Sequence, residues 1–169
     1  MKDEGMTLVE LLVVISIIGI LTVAMGFSFE GWMGRYRIES QIRCMYSDLM
    51  EARTKSMSRK MWHYMVLNTN NYQIFEDTNS NFGSMPDAGD ISLWPGPKIL
   101  QSGQLKMISA DKFPLTLKID TRGLIPRAAA TISFRIDNNR DPEFDCILID
   151  EARIRIGKTD MTGAVCNAK

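Results

Sequence analysis

Glu10 has the most unusual setting of any chemistry-bearing residue in the chain. It stands at the head of Leu11 to Phe29, nineteen residues without a charge. Coiled as a helix at 1.5 Å per residue, that stretch is about 29 Å long, close to the hydrocarbon thickness of a bilayer. A carboxylate at the edge of an apolar phase is costly and implies a partner.

Other reactive residue types are sparse. His63 is the only histidine, it alternates with Trp62 and Tyr64, and no nucleophile motif accompanies it. A surface or packing role fits it better than a catalytic triad. The chain has neither a phosphate-binding glycine loop nor a Cys-x-x-Cys metal pattern, so we expect no enzyme, no cofactor and no metal centre. Asp137-Asn138-Asn139-Arg140-Asp141-Pro142-Glu143 and Asp145 are oxygen-rich, as calcium requires. They lack EF-hand spacing, however, and include a positive Arg140, which reads as an ordinary solvated turn. Arg153 and Arg155, at i and i+2, point to one face of a strand and could straddle phosphates, with Lys158 just beyond. Asp150 and Glu151 weaken the local potential, and a net charge of zero gives no general pull on nucleic acid.

The segment Gly5-Met6-Thr7-Leu8-Val9-Glu10-Leu11-Leu12 resembles the processing site of type IV prepilins and pseudopilins. The resemblance implies that a prepilin peptidase cuts between Gly5 and Met6 and methylates the new N-terminus, Met6. Glu10 then becomes the fifth mature residue, the place where the class carries its glutamate. Met6 departs mildly from the usual phenylalanine. Gly19 matches a glycine often found in pilin stems, whereas Phe27 stands where a proline is common. A secretory signal peptide is a poorer match: Lys2 is outnumbered by Asp3, Glu4 and Glu10, although Ala24-Met25-Gly26 resembles a cleavage site. The five-residue leader is short and acidic, which leaves an upstream start codon open.

These residues need elements to position them. From Arg35 the charges return while Ile38, Ile42, Met45, Leu49 and Ala52 keep helical spacing, so one helix is predicted from about Met6 to Arg59. Trp62–Leu67 and Tyr72–Phe75 read as a hairpin about a turn at 68–71. Residues 77–97 read as a long exposed loop in which Trp94 stands isolated. Strands follow near 104–108, 115–119, 131–136, 144–149 and 153–156, with a turn at Asp120-Thr121-Arg122-Gly123. The fold class is α+β: a long N-terminal helix, membrane-spanning in its first half, packed on a C-terminal antiparallel sheet domain.

That order, with a helix ending in Asp48-Leu49-Met50-Glu51-Ala52-Arg53 and a late Arg-x-Arg strand, resembles the GspH/FimT-type minor pseudopilins of type II secretion and type IV pilus assembly. The implied organisation is a leader at 1–5, a transmembrane assembly helix at 6–29, a soluble stem at 30–60 and a periplasmic β-rich domain at 61–169. The chain would sit as a single-pass protein of the bacterial inner membrane and then enter a filament. Its implied partners are other pilins, the prepilin peptidase, the inner-membrane assembly platform and membrane lipid. Some FimT-type pilins carry a Gly-Arg-x-Arg motif for DNA uptake; here Ala152-Arg153-Ile154-Arg155 lacks the glycine, and DNA binding is the alternative function.

Three cysteines allow three pairings as well as a reduced state. In an oxidising compartment we prefer Cys146–Cys166, which would staple the tail to a strand and leave Cys44 on the helix. Residues 35–60 hold seven Lys/Arg against three Asp/Glu, a bias that suits headgroups or acidic neighbours in a filament.

Overall fold

The computed structural model describes residues 7–81, 83, 85–100, 104–107, 113–126, 130–135, 141–160 and 165–168, with the backbone alone at 24–31, 104–107 and 130–135. The chain opens with α1 (Leu8–Arg59), 52 residues long and about 78 Å at the usual rise. Its start is set by Thr7, whose hydroxyl accepts the Glu10 amide at 3.3 Å. A threonine cap followed three residues later by glutamate is the sequence pattern of a capping box. Its end is set by Lys60 in the left-handed region, φ 57°, which turns the chain out of the helix. No proline interrupts the residues between.

The predicted stripe is the buried one. Ile38, Ile42, Met45, Leu49 and Ala52 are all core residues, and Ser56 continues the spacing. They pack against Met65 and Leu67 of β1 (His63–Leu67), Ile74 of β2 (Asn71–Glu76) and Leu117 and Ile119 of β6 (Leu115–Ile119). Ile147 and Ile149 of β8 (Cys146–Ile149) and Ile154 of β9 (Ile154–Thr159) join the same core. One helical face is thus shared by two groups of strands. The α+β class with antiparallel strands is as expected, and among the described residues the strands divide into two sheets. In the first, β6 pairs with β1 and β1 with β2, while β3 (Ile91–Ser92) and β4 (Lys98–Ile99) both pair with β2. In the second, the order is β10 (Cys166–Ala168), β9, β8, β7 (Ala130–Arg135) and β5 (Gln104–Met107). Strand periodicity shows which residues face inward but not which edges meet.

Residues 77–97 are not simply a loop. Ile91 and Ser92 pair with Glu76 and Phe75, Lys98 and Ile99 pair with Tyr72 and Asn71, and the Leu93 amide donates to Ile74 O at 2.9 Å. The segment therefore lines the free edge of β2, with Pro95 and Pro97 in the loop-out between the two short pairings. Proline is tolerated at such an edge because it has no N–H to place. Trp94 is half-buried, edge-on to Tyr72 at 6.4 Å, with Lys98 Nζ 4.0 Å above its ring. Two-residue strands are too short to show alternation, which is why the sequence read as loop.

At two glycines a side chain would be crowded by its neighbours. Gly123 has φ 75°, and a Cβ there would come within 2.9 Å of Arg53 Cγ and 3.0 Å of Met57 Cγ on α1. The turn it closes is tied by Asp120, whose carboxylate accepts from the Arg122 amide (2.9 Å), the Leu124 amide (2.8 Å) and Arg122 Nε (2.9 Å). Burial raises the Asp120 pKa, but these donors together outweigh it and hold the carboxyl below its ordinary value. Gly157 on β9 is opposite Cys146 and Ala168. The disulfide between Cys146 and Cys166, with Cα atoms 6.2 Å apart, crosses β9 at this glycine, and a Cβ would overlap Asn167 O and lie 3.0 Å from Cys166 Sγ. Cys44 is a free, exposed thiol on α1.

Closing a loop of 20 residues removes denatured-state entropy corresponding to about 3 kcal/mol. Reduction, or Cys166→Ser, should therefore lower the urea midpoint of the detergent-solubilised chain. Equal midpoints in oxidising and reducing buffer would show that the bond contributes nothing.

Candidate functional site

The unusual surface of the molecule is the first half of α1. Every described side chain from Thr7 to Val23 is exposed, including Leu8, Val9, Leu11, Leu12, Ile15, Ile17 and Ile18. The hydrophobic core of the domain takes up the later part of the helix, from Ile38 onward. An apolar rod this bare is not stable against water, so its surface calls for lipid or protein. Among the described residues no helix is long and apolar enough to cross a membrane. The described apolar side chains run from Leu8 to Val23, about 24 Å of helix, while the sequence itself stays uncharged to Phe29.

Glu10 lies in the first turn of this rod and is exposed. The Thr7 cap fixes the backbone beneath it, and a carboxylate in a first helical turn is favoured by the exposed N–H groups there. The Glu10 carboxylate is thus held at one defined position along the rod. Gly5 and Met6 lie outside the described residues.

The basic residues named above are not gathered on one face. Arg153 is exposed in the turn before β9, where its carbonyl accepts the Asp150 amide at 2.8 Å. Arg155 is exposed on β9 but ion-paired to Asp150 at 2.9 Å. Lys158 lies three residues on, hence on the opposite face of the strand, and pairs with Asp141 beside α1. Carboxylates therefore already occupy two of the three cations. In the oxygen-rich loop, residues 137–140 lie outside the described residues. Asp145 is engaged by Thr159, whose amide and hydroxyl donate at 2.7 and 2.6 Å. No group of three or more His, Cys, Asp or Glu among the described residues is arranged to hold a metal ion.

Sequence reasoning did not find the two buried charge clusters that fasten the domain to its stem. In one, Asp48 on α1 accepts Tyr72 Oη at 2.7 Å and Lys98 Nζ at 2.7 and 2.8 Å. Burial first, then this hydrogen bond, pushes the Tyr72 phenol far above its ordinary pKa. In the other, Glu76 accepts Arg59 NH1 at 2.7 and 3.0 Å and lies 3.5 Å from His63 Nε2. His63 is fully buried, with Nδ1 3.2 Å from Met61 O and Nε2 without a hydrogen-bond partner. Burial lowers its pKa, and Met61 O and Glu76 only partly offset that.

Because the folded chain disfavours the imidazolium, His63 contributes stability above the ordinary histidine pKa. That contribution is lost as pH falls below it and the unfolded chain takes up the proton. The melting temperature should therefore drop between about pH 7.5 and 5.5, and His63→Gln should flatten that slope. An unchanged slope in the variant would assign the titration elsewhere; Asp120 acts in the same direction but at lower pH.

Residues 1–26 match the family model of the prokaryotic N-terminal methylation motif. No curated protein matches the chain, and no solved structure does. The motif covers both the residues ahead of the helix and the bare rod from Leu8 to Val23, and the chain thus carries a type IV pilin-like N-terminal signal.

Proposed function

We propose that this chain is a minor pilin or pseudopilin of the GspH/FimT type, a structural subunit rather than an enzyme. A prepilin peptidase removes residues 1–5 and methylates Met6. Residues 6–29 then hold the chain in the inner membrane, 30–60 form the soluble stem, and 61–169 fold in the periplasm. Other pilins cover the rod when the subunit enters a type II secretion pseudopilus or a type IV pilus. One observation carries this reading: a methylation signal spans the start of a helix whose described apolar side chains, from Leu8 to Val23, are all exposed. The two-sheet domain gripping only the far half of the helix supports it, since the near half stays available for packing.

The test is the intact mass of the chain isolated from cells that express a prepilin peptidase. The expected species is residues 6–169 with one added methyl group. A chain that retains residues 1–5, or one clipped near Gly26, defeats the proposal.

A further inference from the structure

Where the stem meets the domain, α1 and the β9 side of the second sheet enclose an open recess of about 440 Å³. Its helical wall is an aromatic pair one turn apart: Trp32 and Tyr36 stack with centroids 6.0 Å apart and planes 19° apart. Both are well exposed, at 62% and 58%. Arg35 lies between them in sequence and also lines the recess. Farther along the helix Glu39 lines the recess too, and across from it stand Asp141, Glu143 and Lys158. Glu39 accepts the Glu143 amide at 2.7 Å, and Asp141 pairs with Lys158. Two cations thus face three carboxylates around one cavity.

Position along the helix matters as much as composition. The uncharged stretch ends at Phe29, so Trp32 lies about 4.5 Å and Tyr36 about 10 Å beyond it along the axis. The interfacial zone of each leaflet is roughly 5–7 Å deep. Trp32 falls within that depth, and Arg35 and Tyr36, whose long side chains lean back toward the helix N-terminus, reach its outer edge, where arginine and aromatic rings with a polar edge belong. The carboxylates lie farther out, about 15 Å beyond Phe29 at Glu39. The recess therefore presents a guanidinium on its inner side and, on its outer side, three carboxylates of which Asp141 is paired with Lys158. A phosphate with an ammonium group beyond it has the same polarity: phosphate on Arg35, ammonium between the stacked rings and the carboxylates. A purely anionic headgroup would meet these carboxylates and be repelled.

We infer that this recess binds the headgroup of a zwitterionic phospholipid, holding the domain against the membrane before the subunit is assembled. The inference rests on the membrane reading given under Proposed function. It adds a lipid class and names Trp32, Arg35 and Tyr36 as the residues that select it.

The test uses the full chain with Trp62→Phe and Trp94→Phe, leaving Trp32 as the reporter. It is reconstituted in vesicles of phosphatidylethanolamine with phosphatidylcholine, or of phosphatidylglycerol. Lipids brominated near the headgroup should quench Trp32 more than lipids brominated deep in the acyl chains. Native mass spectra from detergent should show phosphatidylethanolamine retained about tenfold more than phosphatidylglycerol, and Arg35→Ala with Tyr36→Ala should remove that difference. The double variant should still resist alkaline extraction. Equal or greater retention of phosphatidylglycerol would overturn the inference, as would an unquenched Trp32 in a chain that resists extraction. Shielding of Trp32 only when copies contact one another would overturn it too, and would assign the recess to a second subunit. A wild-type chain released by alkali would instead overturn the membrane reading itself.

Discussion

Replacing Glu10 with leucine should leave the chain anchored in the membrane yet absent from filaments. A leucine adds apolar area at the head of a rod that is already apolar, so insertion is unaffected or slightly favoured. Assembly is different. In the proposed filament the rods pack side by side, and water leaves the space around Glu10. A carboxylate stranded there without a partner costs on the order of several kcal/mol, and so does an unanswered N-terminal amine. Two such charges from neighbouring subunits neutralise each other in one axial register only, because Glu10 is held in the first turn of the helix by the Thr7 cap and the amine would lie four residues before it in the chain. Non-polar contacts along the rod hold subunits together but tolerate sliding; the ion pair selects the register. Removing Glu10 strands the neighbour's amine and erases that selection. The measurement is the amount of variant in sheared filaments against the amount in membranes. Wild-type incorporation of Glu10→Leu would show that Glu10 sets no register.

Much of this was legible from residue spacing. The stripe from Ile38 to Ala52 marks a helix face because four- and three-residue steps return to one side of the cylinder, and those five residues are buried. The first hairpin was legible because Leu67 and Tyr72 bracket a short polar turn, and they are the closing pair. The sequence could not reveal interactions that depend on distant parts of the chain arriving together. Asp48 reads as a solvated charge on a helix, since its partners are 24 and 50 residues away. Trp94 reads as a loop residue because the ring it meets, Tyr72, sits on another strand. The division into two sheets is equally invisible, because each strand shows its inward face and no strand shows its neighbour. The candidate assembly surface was the easier part to read: bare apolar helix and isolated carboxylate are local properties of one segment.

The Asp48–Tyr72–Lys98 cluster should prove the most sensitive joint between domain and stem. Asp48 is only 6% exposed, yet both its oxygens are occupied. Asp48→Ala leaves the buried Tyr72 hydroxyl without an acceptor and frees Lys98, whose side chain is 35% exposed. The lysine can turn to water, so most of the cost comes from the hydroxyl and the vacated space, about 2–3 kcal/mol. Lys98→Ala is expected to be at least as costly, because the carboxylate that remains cannot reach water and keeps only the Tyr72 donor. Lys98 also covers the Trp94 face at 4.0 Å, so the same change loosens the edge segment carrying β3 and β4. The double variant should cost less than the sum of the two single changes, as expected for groups that stabilise each other. Urea unfolding of the four proteins in detergent measures this, with limited proteolysis between residues 77 and 100 as the local readout. Strict additivity would mean that the charge pair is incidental and that the Tyr72–Trp94 contact alone seats the segment. A coupling of about 1 kcal/mol or more would place the fastening in the charge itself, linking the strand edge to the helix just beyond the half that the filament would cover.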